Sequence, residues 1–193
     1  ENNGEAHSDF WKSQSRLVNQ NRCTIEISNE NAFSGSYSLK FGATNRVIET
    51  KRPYIQLTLD WKKGKVEFSF KMFTENTSWF CLNCRLSNPI DFKYGKVVIN
   101  GVDVMDYKCN CWINVKITID HDEKFYFLSV DDSVSQQFND SDIQPTETIL
   151  IQNADTKTAS YFDDINAQSL YVEPVLFAIC SNQNEDDKND VNK

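Results

Sequence analysis

Six cysteines stand at positions 23, 81, 84, 109, 111 and 180. Cys81-x-x-Cys84 and Cys109-x-Cys111 make two close pairs, and four thiolates so spaced are a zinc-ligand set. An even number of clustered cysteines equally suits an oxidised framework. Along an extended strand Cys109 and Cys111 are badly placed to bond each other, so each is expected to join Cys81 or Cys84. That leaves Cys23 to pair with Cys180. Disulfides are the favoured reading, with zinc beside it; a thioredoxin-like redox role lacks its βαβ setting.

Sugar hydrolysis needs two carboxylates facing each other across the substrate, about 5 to 9 Å apart. On a strand the expected sign is acidic residues at alternate positions of one face. Glu26 and Glu67 are instead isolated, and Asp120-His121-Asp122-Glu123 and Asp131-Asp132 fall in turn-like segments. No nucleophile elbow and no phosphate-cradling glycine loop occurs. On these grounds the chain is expected not to be an enzyme.

Trp61, Trp79, Phe80, Tyr94 and Trp112 fall near predicted strand ends or in loops. Exposed Trp and Tyr stack on sugar rings and anchor protein interfaces. Trp112, at the start of a strand, is expected in the core. Thr77-Ser78-Trp79-Phe80-Cys81 places two large aromatics side by side, and adjacent strand residues face opposite ways. One of Trp79 and Phe80 must therefore leave the core. The candidate ligand-binding residues are Trp79, Phe80, Tyr94 and Trp61.

These groups need a scaffold, and the sequence period is two. Thr24–Ser28, Ser36–Phe41, Ile55–Leu59, Val66–Met72 and Ile113–Ile119 alternate apolar and polar residues, the pattern of strands with one face on a core. Lys124–Val130, Thr148–Gln152, Ser160–Ile165 and Val175–Ile179 read as further strands. Asn100-Gly101 between apolar runs is a hairpin signal, because both residues tolerate positive φ. A short helical turn is predicted near Phe10–Val18. About ten strands joined by short turns imply an all-β, two-sheet antiparallel sandwich, disulfide-bonded. Residues 1–9 and 182–193 are polar and unpatterned and read as a flexible N-terminus and a disordered acidic tail around a domain over 10–181.

The 193 residues carry a net charge of −8 and 12% aromatics. That excludes a phosphate-tracking nucleic-acid protein and an anionic-membrane binder. No apolar run reaches the length of a membrane span. Two sequons, Asn76-Thr77-Ser78 and Asn139-Asp140-Ser141, are compatible with secretion.

Four segments in order carry a family likeness. Asn31-Ala32-Phe33-Ser34-Gly35-Ser36-Tyr37-Ser38-Leu39-Lys40-Phe41 resembles the opening of extracellular jelly-roll modules. Trp112–Asp120 and Phe125–Asp131 resemble two successive strands of concanavalin-like sandwiches. Ser160-Tyr161-Phe162-Asp163-Asp164-Ile165 resembles their closing strand. Together they resemble the laminin-G and MAM type of concanavalin-like jelly roll over residues 22 to 172. The resemblance implies a secreted or cell-surface recognition module for a protein or glycan partner, with a structural calcium held by Asp163 and Asp164. Concanavalin-like lyases use an Arg, Gln, His and Tyr set, and His7 and His121 have none around them. A strict carbohydrate-binding module and an atypical polysaccharide hydrolase or lyase are the alternative readings.

Overall fold

The computed structural model describes residues 15–18, 25–42, 54–61, 63–131, 133–134, 137–144, 146–153 and 158–170. The expected tails, Cys23, Cys180 and the expected strand at Val175–Ile179 lie outside them. Fifteen strands occur among the described residues, and no helix. They are β1 (Ser15–Val18), β2 (Ile25–Ser28), β3 (Ser38–Phe41), β4 (Tyr54–Trp61), β5 (Lys65–Thr74), β6 (Trp79–Asn83), β7 (Ile90–Lys93) and β8 (Lys96–Ile99). They continue with β9 (Val102–Asp106), β10 (Trp112–Asp120), β11 (Phe125–Val130), β12 (Ser133–Val134), β13 (Phe138–Asn139), β14 (Thr146–Asn153) and β15 (Ser160–Ser169). The helical turn expected up to Val18 is a strand where it is described: Ser15–Val18 pairs antiparallel with β4. The pairing lines Leu17 up with Ile55, so sheet contacts override local propensity there.

The strands form two antiparallel sheets. One runs β1-β4-β14-β6-β7-β8-β9, and the other runs β12-β11-β10-β5-β15-β3-β2 with β13 paired to β11. The alternation seen in sequence builds both. In β5, Val66, Phe68, Phe70 and Met72 are buried while Glu67, Ser69 and Lys71 face out. β10 repeats the pattern with Ile113, Val115, Ile117 and Ile119, and pairs with β5 along its whole length. At the Asn100-Gly101 turn both residues take positive φ, 50° and 76°, as the hairpin between β8 and β9 requires.

Phenylalanines bridge the sheets. Phe80 and Phe92 of the first sheet stack at 4.7 Å, and Phe80 meets Phe162 of the second edge-on at 5.2 Å. Phe70 closes the group against Phe162 at 5.9 Å. Each buried ring contributes about 1.5–3 kcal/mol, and each well-oriented pair adds about 1 kcal/mol.

The disulfide-bonded core that the cysteine count implied is not formed among the described residues. Cys84, Cys109 and Cys111 are free thiols, and none of these four cysteines, Cys81 included, lies at disulfide distance from another. The reason is placement. Cys81 sits on the outer face of β6, opposite Asp91, and Cys84 is buried beyond the far end of that strand. Cys109 and Cys111 lie in the β9–β10 connection, at the opposite end of the sheet, where Asn110 N–H donates to the Thr74 carbonyl and Tyr107 N–H to the Gly95 carbonyl. Burial pushes the Cys84 and Cys109 thiols up, which keeps them protonated.

Candidate functional site

The outer face of the seven-stranded sheet is built by the residues that alternate with its core. Ile55, Leu57, Phe80, Leu82, Ile90, Phe92, Ile149 and Ile151 point inward. Tyr54 and Gln56 of β4, Gln152 of β14, Trp79 and Cys81 of β6 and Asp91 and Lys93 of β7 therefore point outward, all of them half-buried. Strand register aligns them across the sheet. Tyr54 pairs with Gln152, Gln152 with Cys81, and Cys81 with Asp91. Four adjacent strands thus present a phenol, an amide, a thiol and a carboxylate in one row. A second row joins Trp79 to Lys93 and Lys93 to Lys96.

That second row ends in an aromatic corner. The Lys93 ammonium lies 4.3 Å from the Trp79 ring centroid and 5.3 Å from that of Tyr94, within cation–π range of both. Tyr94 leads the β7–β8 turn at φ 56°, a left-handed conformation, with Gly95 at φ 80° behind it. Tyr94 N–H donates to the Ser78 carbonyl at 3.2 Å, and Tyr107 N–H to the Gly95 carbonyl at 2.8 Å. These bonds hold the turn between the β5–β6 and β9–β10 connections and leave Tyr94 51% exposed. Lys96 beyond it pairs with Asp103 at 3.2 Å and Asp106 at 3.0 Å. Its hydrogen bond to Asp106 raises its pKa above the ordinary value.

Of the four candidate binding residues, Trp79 and Tyr94 meet here. Phe80 does not; it is 1% exposed at the centre of the core, so its assignment to a binding surface is corrected. Of the adjacent pair, Trp79 is the one that leaves the core. Trp61 closes β4 opposite Thr146, and its side chain lies outside the described residues. Lys93, Gln152 and Asp91 were not singled out from sequence, and Cys81 was expected only as a disulfide or zinc thiol. Only the Tyr94-Gly95 turn between Phe92-Lys93 and Lys96-Val97 signalled that a hairpin would display Lys93 there.

Trp112, expected in the core, lies instead on the outer face of the eight-stranded sheet, half-buried between Phe73 and Phe33. Asp163 and Asp164 sit at an irregularity in β15, where Asp164 takes φ 47°. The Asp163 carboxylate accepts N–H bonds from Phe33 at 2.9 Å, Ser34 at 3.0 Å and Asp164 at 2.8 Å. The Asp164 carboxylate accepts the Ser34 hydroxyl at 2.7 Å. Three of the four carboxylate oxygens are therefore turned to N–H and O–H donors. Calcium needs six to eight oxygen ligands, and the pair in this arrangement does not fit it. Among the described residues no group of three or more His, Cys, Asp or Glu gathers to hold a metal.

No family model matches the chain, and no curated protein matches it. Solved structures do. A sialidase superposes with a TM-score of 0.62 at 9% identity over 86% of this chain and 18% of its own, so the chain spans under a fifth of that protein. An endo-β-1,4-glucuronan lyase from the fungus Trichoderma reesei matches with a TM-score of 0.60 at 11% identity, over 80% of this chain and 90% of the lyase. A putative glycosyl hydrolase from Parabacteroides distasonis matches with 0.54 at 11% identity, over 82% and 94%. At these identities the likeness shows the fold alone, a two-sheet antiparallel β-sandwich. It also overturns the expectation that the chain is not an enzyme, because the chains that share this fold include a sialidase and a glucuronan lyase. That expectation sought catalytic groups along one strand. Strand register brings Tyr54, Gln152, Cys81 and Asp91 into one row across the sheet, a juxtaposition that no single strand displays.

Proposed function

We propose that this protein binds a carbohydrate chain on the outer face of its seven-stranded sheet. The carrying observation is the corner where Trp79 and Tyr94 bracket Lys93 beside the row of Gln152, Cys81 and Asp91. Aromatic faces offer stacking surface for sugar rings, and the flanking amide, carboxylate and ammonium offer directional hydrogen bonds to hydroxyls. The fold shared with sugar-acting proteins supports the reading. A neutral glycan suits this face better than a polyuronate. Net charge is −8, Lys96 is tied to two aspartates, and Asp91 stands within the row. An extracellular setting, which the laminin-G and MAM resemblance implies, belongs to the same proposal, with a cell-surface protein as the other partner class.

A glycan array followed by calorimetry tests it. Trp79→Ala and Tyr94→Ala are expected to stay folded, with melting temperatures lowered by no more than a few degrees, and to weaken binding about tenfold or more. Unchanged binding in both variants would sink the site. A second reading, cleavage of the bound chain, draws on Tyr54 and Asp91 at the two ends of that row, since a phenol and a carboxylate can each move a proton. Incubation with neutral polysaccharides and polyuronates separates the two. New reducing ends without unsaturation mean hydrolysis, unsaturated ends mean elimination, and intact polymer means binding alone.

A further inference from the structure

At the other end of the sandwich, away from Trp79 and Tyr94, a cleft of 420 Å³ opens between the β6–β7 loop and the segment around β13. That volume lies within the range of small-molecule sites. Its wall is pinned across the fold. Asp140, 9% exposed, accepts the Ser87 backbone N–H at 2.8 Å, the Ser87 hydroxyl, and the Asp142 N–H at 3.1 Å. Its apolar side is Phe138, stacked on buried Tyr126 at 5.1 Å and 19°. Burial pushes the Tyr126 phenol up to about 12, so it stays a neutral donor.

Three polar side chains on the lining are unspent. Asn88, Ser141 and the Asp142 carboxylate make no side-chain hydrogen bond among the described residues. An amide, a hydroxyl and a carboxylate next to an aromatic wall match a small neutral polyol. Together they offer donors and acceptors, and the ring offers a flat surface for C–H groups. An anion would meet Asp140 and Asp142. A metal ion would find one available carboxylate, since the other is held by N–H and O–H donors. We propose that this cleft is a second binding site, independent of the sheet face, that takes one neutral sugar residue or a similar polyol.

Saturation-transfer NMR on protein made without N-glycosylation, so that Asn139 at the rim is bare, tests this. The probes are glucose, galactose, mannose and N-acetylglucosamine, with spermidine as a cationic control. At least one sugar is expected to give a signal that survives Trp79→Ala. The signal should fall about tenfold in the Asn88→Ala/Asp142→Ala double variant. Ser141→Phe, an exposed position where a large ring obstructs the cleft without burdening the core, should abolish it even if the double variant folds poorly. Silence from every sugar overturns the proposal. So does a signal lost in Trp79→Ala but kept in Ser141→Phe, or binding of spermidine alone.

Discussion

The two outer faces of this sandwich use the same side chains to opposite ends. On the eight-stranded sheet, Phe33, Trp112, Phe73 and Tyr161 form a ladder of ring contacts at 5.9 to 6.0 Å, and Lys71 lies 4.5 Å over Phe33. The chain's own 29–36 loop packs on that ladder through Phe33, whose outer side is itself 47% exposed. Asp163 holds the loop by its backbone, and Trp112 Nε1–H donates to Asn31 Oδ1 at 3.2 Å. On the seven-stranded sheet, Trp79, Lys93 and Tyr94 make a similar aromatic–cation group, but Tyr94 stands open to solvent. Aromatic content alone therefore does not mark a binding surface. What separates the faces is that on one of them a loop of the chain is bonded in place beside the rings, through Asp163 and Trp112.

The largest expected effect isolates core from surface. Phe80→Ala should destabilise the fold by about 3–5 kcal/mol in urea denaturation, because it removes the ring that joins both sheets. Its neighbour Trp79→Ala should cost under about 1.5 kcal/mol, since only part of that ring is buried. Equal losses would mean that both rings are structural.

Next comes the face with the bonded loop. Asp163→Ala removes the acceptor of three N–H groups, and a loss of about 1–2 kcal/mol is expected, discounted for partial exposure. Glycan binding at Trp79 should be unaffected, and a parallel loss of binding would show that the faces are coupled.

A smaller effect comes from pH. Burial holds His121 below its ordinary pKa, and its folded state binds fewer protons than the unfolded chain. Stability from this group is therefore full above the unfolded value, about 6.5, and is lost as pH falls below it. His121→Gln should flatten the melting profile over that window; an unchanged slope would assign it to other groups. The smallest effect carries the opposite sign. Tyr94→Gly relieves a left-handed aromatic residue and should raise the melting temperature by about 1–2 °C while abolishing glycan binding.

Much of the architecture was legible because alternation is a local signal. Val66–Met72 and Ile113–Ile119 declare a buried face within seven residues each, and the Asn100-Gly101 hairpin declares its turn. The failures involve non-local facts. An even cysteine count says nothing of which end of a sheet each thiol occupies, and Cys84 and Cys109 fall at opposite ends. Of the proposed site, Trp79 and Tyr94 were named from aromatic placement, and Phe80 was eliminated only by seeing which of two adjacent residues faced inward. The row from Tyr54 to Asp91 depends on register between strands far apart in sequence. The Ser87–Asp140 clamp of the cleft spans 53 residues and leaves no sequence trace at all.

Strand β9 carries one more consequence. It ends the seven-stranded sheet, and among the described residues nothing pairs with its outer side. An open strand edge is a template on which other chains can add and grow into fibres. Here the register slips between Val97 and Val98 where β8 meets β9, and Asp103 and Asp106 bring charge to the edge. A stranger's strand would meet a bent ladder and two carboxylates, so the open edge guards against its own polymerisation at high concentration.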